Sequence, residues 1–169
     1  MDLHTIHNPK QLKILRKKCA PFDFTKYEKK EIRELVKEMR IKMHEWHGIG
    51  LAATQIGRNE AFFVAQPPQG KFYAVFNPKI TKTEDKPILM EEGCLSVPDQ
   101  YGEVSRYEKL ILEGQNQNGK PVKIKAWGLL AHIFQHETDH LSGTLYIDKT
   151  KKTYTLPTSE RLQGEADSS

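Results

Sequence analysis

Gln135-His136-Glu137-Thr138-Asp139-His140, entered through an apolar run of Gly128, Leu129, Leu130, Ala131, Ile133 and Phe134, is the stretch that decides how this chain is read. The run is long enough for a helix and holds no breaker, so a helix over residues 128 to 142 is predicted. His136 and His140 then lie one turn apart on one face, where both imidazoles can ligate a single ion. Glu137 is rotated about 100° around the axis, so its carboxylate can reach water at that ion without displacing a ligand. That is where a general base is needed. Two histidines at this spacing alone are more often a solvated helix face. The complete His-Glu-x-x-His pattern, left through Leu141-Ser142-Gly143, favours the metal site.

A zinc-type site takes three protein ligands and keeps one position open. Candidates for the third are Cys94, His132, Asp148 and the remaining histidines. His132 shares the face of His136, but three ligands in a row along one helix cannot easily surround an ion, which suits it better to a pocket wall or to supporting a ligand. Asp139 points about 60° to the side of the histidine face, and a supporting role fits it as well. Cys94 sits between Gly93 and Pro98 in a turn-rich strand exit, from which a thiolate can be aimed at the helix.

The rest of the chain frames this site. Its 169 residues, 37% hydrophobic and 28% charged, make one ordinary domain with room for a core. The formal net charge of +4 is a mild excess of Lys and Arg, much of it in Lys17-Lys18, Lys29-Lys30 and Lys149 to Lys152; it is compatible with nucleic-acid contact, but an excess scattered in this way reads more readily as a solvated surface than as a specific nucleic-acid site. No run of about 18 apolar residues offers a membrane span. The first residues, Met1-Asp2-Leu3-His4-Thr5, have neither a signal-peptide nor a transit-peptide layout, so a cytoplasmic protein is expected. Cys19 and Cys94 are then expected as free or metal-bound thiols.

Taken in order, residues 1 to 22 read as irregular, with Pro9 and Pro21 limiting helix and Leu12, Ile14 and Leu15 in a short turn. Thr25-x-x-Glu28 has capping-box spacing, and Ile32, Leu35, Val36, Met39, Met43 and Trp46 recur behind it, predicting an amphipathic helix over 26 to 46 with a core-facing stripe. Gly48-Ile49-Gly50-Leu51-Ala52-Ala53-Thr54-Gln55-Ile56-Gly57 fails as a phosphate loop, since no Lys-Ser/Thr follows. It is either a tight connection or a peptide-binding edge with Gln55 as a donor. Strands are predicted over 61 to 65, 72 to 76 (ended by Asn77-Pro78), 87 to 90, 109 to 113 and 122 to 125, the last two joined by a hairpin turn at Asn118-Gly119. Residues 144 to 147 read as a short strand or extended segment. The composition from Lys149 onward predicts a mobile tail over 149 to 169 behind a single domain over 1 to 148.

Three stretches now combine. Gly48-Ile49-Gly50-Leu51-Ala52-Ala53-Thr54-Gln55, Glu92-Gly93-Cys94-Leu95-Ser96 and Gln135-His136-Glu137-x-Asp139-His140 resemble, in order and separation, the signature motifs of peptide deformylases, over roughly residues 6 to 148. Any one motif is weak; the three together are highly specific. The resemblance implies an α+β fold in which small antiparallel sheets surround a central helix carrying the metal ligands. It implies one divalent ion held by Cys94, His136 and His140, typically Fe(II), with Zn, Ni or Co able to occupy the site. It implies Glu137 as general acid/base, and Gln55 with the backbone N–H of Leu95 as oxyanion donors. The reaction implied is removal of the formyl group from formyl-methionyl nascent polypeptides, releasing formate, near the ribosome and by a monomer or weak dimer.

The same resemblance places Gly48, Ile49, Gly50, Met90, Glu92, Gly93, Leu129, His132 and Ile133 around the substrate. His132 departs from the apolar residue usual at its position, and Tyr101 from an Arg common at its own. Arg106 matches a recurrent basic position, suited to an outer salt bridge or a substrate contact. The short separation of Gln55 and Glu92 resembles the type 1 branch, and the tail lacks the long basic helix of ribosome-docking members. The rival readings are a metallopeptidase of other specificity and a non-catalytic binder of peptide amino termini; intact Glu137 and Gln55 oppose the second.

Overall fold

The core of the molecule is set by which segments can bury an apolar face. A computed structural model describes residues 1–84 and 86–155. It is an α+β arrangement of two antiparallel sheets and three α-helices. The strands are β1 (Gly50–Ala52), β2 (Phe62–Ala65), β3 (Tyr73–Glu84), β4 (Ile88–Cys94), β5 (Val97–Arg106), β6 (Lys109–Gln115), β7 (Pro121–Trp127) and β8 (Thr153–Tyr154). One sheet has the order β1-β2-β3-β6-β7 and the other β4-β5-β8. The helices are α1 (Pro9–Leu15), α2 (Lys29–Glu45) and α3 (Gly128–Leu141).

β2 is buried on both faces, so Phe62, Phe63, Val64 and Ala65 are all core. Phe62 stacks on Phe76 of β3 at 5.2 Å between ring centroids, and Phe22 meets both rings edge-on. α2 adds the predicted stripe of Ile32, Val36, Met39 and Met43. α3 lies centrally and buries residues around most of its circumference, Ala131, Phe134 and Leu141 among them. A helix of that kind belongs in an interior, which is why its polar residues matter.

Several local expectations change. Pro9 does not limit helix in the first segment but starts it: it occupies the first turn of α1, where its missing N–H is no loss, behind an Asn8 cap that accepts from Lys10 N and Gln11 N. Thr25 is not the cap of α2. Asp23 takes the Thr25 N–H in a 3-10 turn over Phe24–Lys26, and α2 opens at Glu28, whose N–H donates to the Glu31 carboxylate at 2.7 Å. Asn77-Pro78 does not end β3. Asn77 takes φ +50° and its side chain bridges Phe22 and Gln115, so the strand passes the proline as a bulge and runs on to Glu84.

β5 was not predicted, because Pro98, Asp99, Gln100 and Gly102 mask its alternation. Of the short strand or extended segment expected over 144 to 147, Leu145 is extended, while Tyr146–Asp148 is a 3-10 turn that buries Tyr146, whose hydroxyl donates to Gln100 O at 2.7 Å. The chain continues in regular structure past 148, since Tyr154 and Thr153 pair with Tyr101 and Gly102. The remainder of the expected tail, 156–169, lies outside the described residues. No helix of the described residues is long and apolar enough to cross a membrane.

Candidate metal centre and active site

α3 presents His136 and His140 one turn apart as expected, their ring centroids 4.9 Å from each other. β4 ends in a register shift between Gly93 and Cys94, a tight turn to β5 that swings the Cys94 thiol toward the helix. Cys94 Sγ lies 3.2 Å from His140 Nε2, and one donor atom from each of Cys94, His136 and His140 falls within 4.8 Å of the others. Ligands of a tetrahedral ion with one sulfur and two nitrogens stand roughly 3.5 Å apart, so the trio fits one divalent ion. His140 Nδ1 is buried without a partner, and burial holds that imidazole well below its usual pKa, in the neutral form a metal requires.

His136 is aimed by a carboxylate. Its Nδ1 is 2.7 Å from Glu92 Oε2, which leaves Nε2 as its donor to an ion. Glu92 Oε1 takes His132 Nε2 at 2.8 Å, and Arg106 donates to both Glu92 oxygens, at 2.5 and 3.0 Å. Burial alone would raise the Glu92 pKa, but the bonds from His132, His136 and Arg106 outweigh it and hold the carboxyl well below the usual range. Arg106 also donates to Asp139, which Lys149 reaches from outside at 2.6 Å. Arg106 is 2% exposed, so of its two expected roles the ion pair is the one this geometry allows. Glu92, expected among the substrate contacts, has both oxygens engaged and contributes through His136 and the wall it forms.

Glu137 has the opposite surroundings. It is 3% exposed, its Oε2 has no partner, and its Oε1 faces the backbone of Gly50, where a Cβ would lie 2.2 Å from it. Burial, above all, pushes its carboxyl up to about 7. A group at that value can take and return a proton at neutral pH. Gln55 is fixed by its own turn: Oε1 accepts from Ala52 N at 2.8 Å, while Nε2 donates to Ser96 Oγ at 3.1 Å and lies 3.7 Å from Cys94 Sγ.

Gly48 leaves room for Leu95, whose Cδ1 would stand 2.7 Å from any Cβ there. The amino-terminal segment clamps these two loops, through His4 N to Gln55 O and Ile6 N to Ser96 O.

A cleft of about 810 Å³ opens above these groups. Its lining includes every residue expected at the substrate, namely Gly48, Ile49, Gly50, Met90, Glu92, Gly93, Leu129, His132 and Ile133, together with Gln55, Cys94, Leu95, His136 and Glu137. His140 lies beneath the lining. Tyr101 also lines the cleft, its ring packed on Gly93 at 2.8 Å from where a Cβ would stand. Sequence reasoning missed Trp46, His47, Asp99 and Gln100 in the wall. It gave no role to Gln135, whose amide bonds Tyr107 N and O and so pins α3 to the end of β5. The missed wall residues carry no motif; Gln135 stood inside one.

The comparisons with known proteins agree with this geometry. The family model described as Polypeptide deformylase matches residues 2–155. A peptide deformylase of Halothermothrix orenii is 45% identical over 137 residues, covering 80% of this chain and 86% of the relative. A crystal structure of a peptide deformylase from Synechococcus elongatus superposes with a TM-score of 0.81 at 33% identity, over 90% of this chain and 81% of that one. A probable peptide deformylase from Synechococcus phage S-SSM7 superposes with a TM-score of 0.79 at 38% identity, over 88% and 99%. With its three motifs gathered on one cleft and its length matched almost throughout, the chain belongs to the polypeptide deformylase family of hydrolases.

Proposed function

We propose that this enzyme hydrolyses the amide between the formyl group and the amino-terminal methionine of nascent polypeptides, with Cys94, His136 and His140 holding one divalent ion. Fe(II) is the metal the family resemblance favours, and Zn, Ni and Co suit the same thiolate and imidazole donors. One observation carries the reading: three ligand atoms converge beneath the cleft, beside a buried Glu137 carboxylate with an unpartnered oxygen. When bound, the ion supplies Lewis-acid activation, lowering the pKa of water toward neutrality.

Glu137 takes the proton of the attacking water and returns it to the departing amine. Gln55 Nε2 and the Leu95 N–H serve the developing oxyanion, each worth about 10²- to 10³-fold in rate. The peptide extends along Ile49-Gly50, because β1 is a free edge of its sheet and can pair through the main chain. Its methionine side chain enters among Met90, Leu129 and Ile133. His132 closes that wall with its Nε2 committed to Glu92, so the pocket keeps a polar rim.

The deciding experiment measures formate release from a formyl-Met tripeptide by nickel-loaded protein, beside Glu137→Ala with metal content determined in both. Turnover in the parent, falling by at least about 10²-fold in the metal-replete variant, is expected. No turnover from a protein carrying one ion per chain would overturn the reading in favour of a binder of peptide amino termini.

A further inference from the structure

The lysines that look scattered along the sequence are gathered by the sheet. Residues directly opposite one another in antiparallel strands share a face. The pairings Lys79↔Glu113, Lys82↔Ile111 and Glu84↔Lys109 join β3 to β6, and Glu113↔Lys123, Ile111↔Lys125 and Lys109↔Trp127 join β6 to β7. One surface therefore carries five lysines, Lys79, Lys82, Lys109, Lys123 and Lys125, against two glutamates, Glu84 and Glu113. Within it, Lys82, Lys109, Lys125, Glu84, Ile111 and Trp127 line a shallow depression of about 300 Å³.

Trp127 is 70% exposed, the most exposed of the large hydrophobic residues described. An indole so placed beside lysines is a stacking platform within a positive field.

From this juxtaposition we propose that the outer face of β3, β6 and β7 is a docking surface for single-stranded RNA, with Trp127 stacking on a base and Lys82, Lys109, Lys123 and Lys125 following the phosphates. Base–aromatic stacking with a basic surface is how sequence-tolerant single-strand binding is built. Two of the ion pairs on this face, Lys82–Glu84 at 2.6 Å and Lys123–Glu113 at 2.9 Å, are exposed and therefore weak, so phosphates can recruit both lysines. An anionic membrane fits less well, since beyond the one exposed indole this lysine-rich face offers little apolar area to insert. An acidic peptide would use the lysines but has no call on an exposed indole. The location is apt for an enzyme acting on chains leaving a ribosome: Trp127 is two residues before Leu129, which lines the catalytic cleft.

The test is fluorescence anisotropy of a labelled oligouridylate of about 16 nucleotides, titrated with metal-loaded full-length protein, with tryptophan emission recorded alongside. Saturable binding with quenched emission is expected, and log affinity should fall against log salt with a slope of about −3 for four phosphate contacts. Trp127→Ala should weaken binding roughly tenfold and remove the quenching. Lys109→Glu/Lys125→Glu, at exposed positions and with its thermal midpoint checked against the parent, should weaken it more than about tenfold. Lys17→Glu/Lys18→Glu, elsewhere on the surface, should leave it within about twofold. Equal loss in the two double variants would reduce the effect to net charge and overturn the proposal. So would an unaltered affinity in Trp127→Ala, or binding to phosphatidylserine vesicles without binding to the oligonucleotide.

Discussion

Glu92 and Glu137 are buried carboxylates of one active site, and the protein treats them in opposite ways. Glu92, on β4, is saturated by His132, His136 and Arg106 and is held ionised. Glu137, on α3, has one oxygen against Gly50 and the other without a partner, and is pushed toward protonation. In the proposed mechanism the difference separates positioning, assigned to Glu92, from proton transfer, assigned to Glu137. A carboxylate that must aim a histidine is stabilised in one state, whereas one that must change state is kept short of partners.

The largest effect that could break this contrast is on stability. Glu92→Ala leaves Arg106 buried with only Asp139, and should lower unfolding free energy by about 3–5 kcal/mol. Glu137→Ala removes an unsatisfied oxygen and should be neutral or stabilising. Chemical denaturation of both variants decides it, and equal losses would abolish the distinction. The signs in pH follow. A depressed carboxyl pKa contributes stability that is complete above the unfolded value, about 4.3, and is lost as pH falls toward the folded one. The acid side of the parent's stability curve should therefore flatten in Glu92→Ala.

A smaller effect, on rate, sharpens the other half. Gly50→Ala places a methyl where the Glu137 carboxylate stands, 2.2 Å from Oε1. The carboxylate must shift, and turnover should fall by at least about 10²-fold with metal content unchanged. Retained turnover would count against Glu137 as the proposed proton carrier held where it lies. Because Gly50 also lines the cleft proposed to take the peptide, KM and kcat have to be separated; loss confined to KM would assign the glycine to substrate alone.

The sequence exposes the elements whose information is local. The helix of His136 and His140 follows from the length of its apolar run and the lack of breakers, and α2 from the periodicity of its stripe. The α+β arrangement and Cys94 as the third ligand came from family resemblance, since a partner on a distant strand leaves no periodic trace. Four local signals misled, one of them Asn77-Pro78, which reads as a strand end where β3 passes it as a bulge. Pro9 stops a helix or starts one according to position, and the Asn8 cap decided for starting. The Thr25 spacing lost to Asp23, which took the same N–H. Pro98 and Asp99 hid β5, whose alternation of buried and exposed residues becomes regular only from Gly102. The β6–β7 hairpin is local, but the register of β3 on β6 is a long-range fact, which is why the lysines of this face read as scattered charge.

The same contrast between buried and exposed charge predicts the smallest effect. Lys123–Glu113 is an ion pair of 2.9 Å, little longer than the 2.5 Å of Arg106–Glu92, yet its side chains are 62% and 42% exposed against 2% and 1%. At the surface, water and salt offset most of the attraction, and two flexible side chains lose freedom to make it. Glu113→Gln should change unfolding free energy by less than about 0.5 kcal/mol, and added salt should erase even that. A loss comparable with Glu92→Ala would show that separation, rather than burial, sets the worth of an ion pair in this protein; a null result in denaturation leaves burial as the variable that distinguishes them.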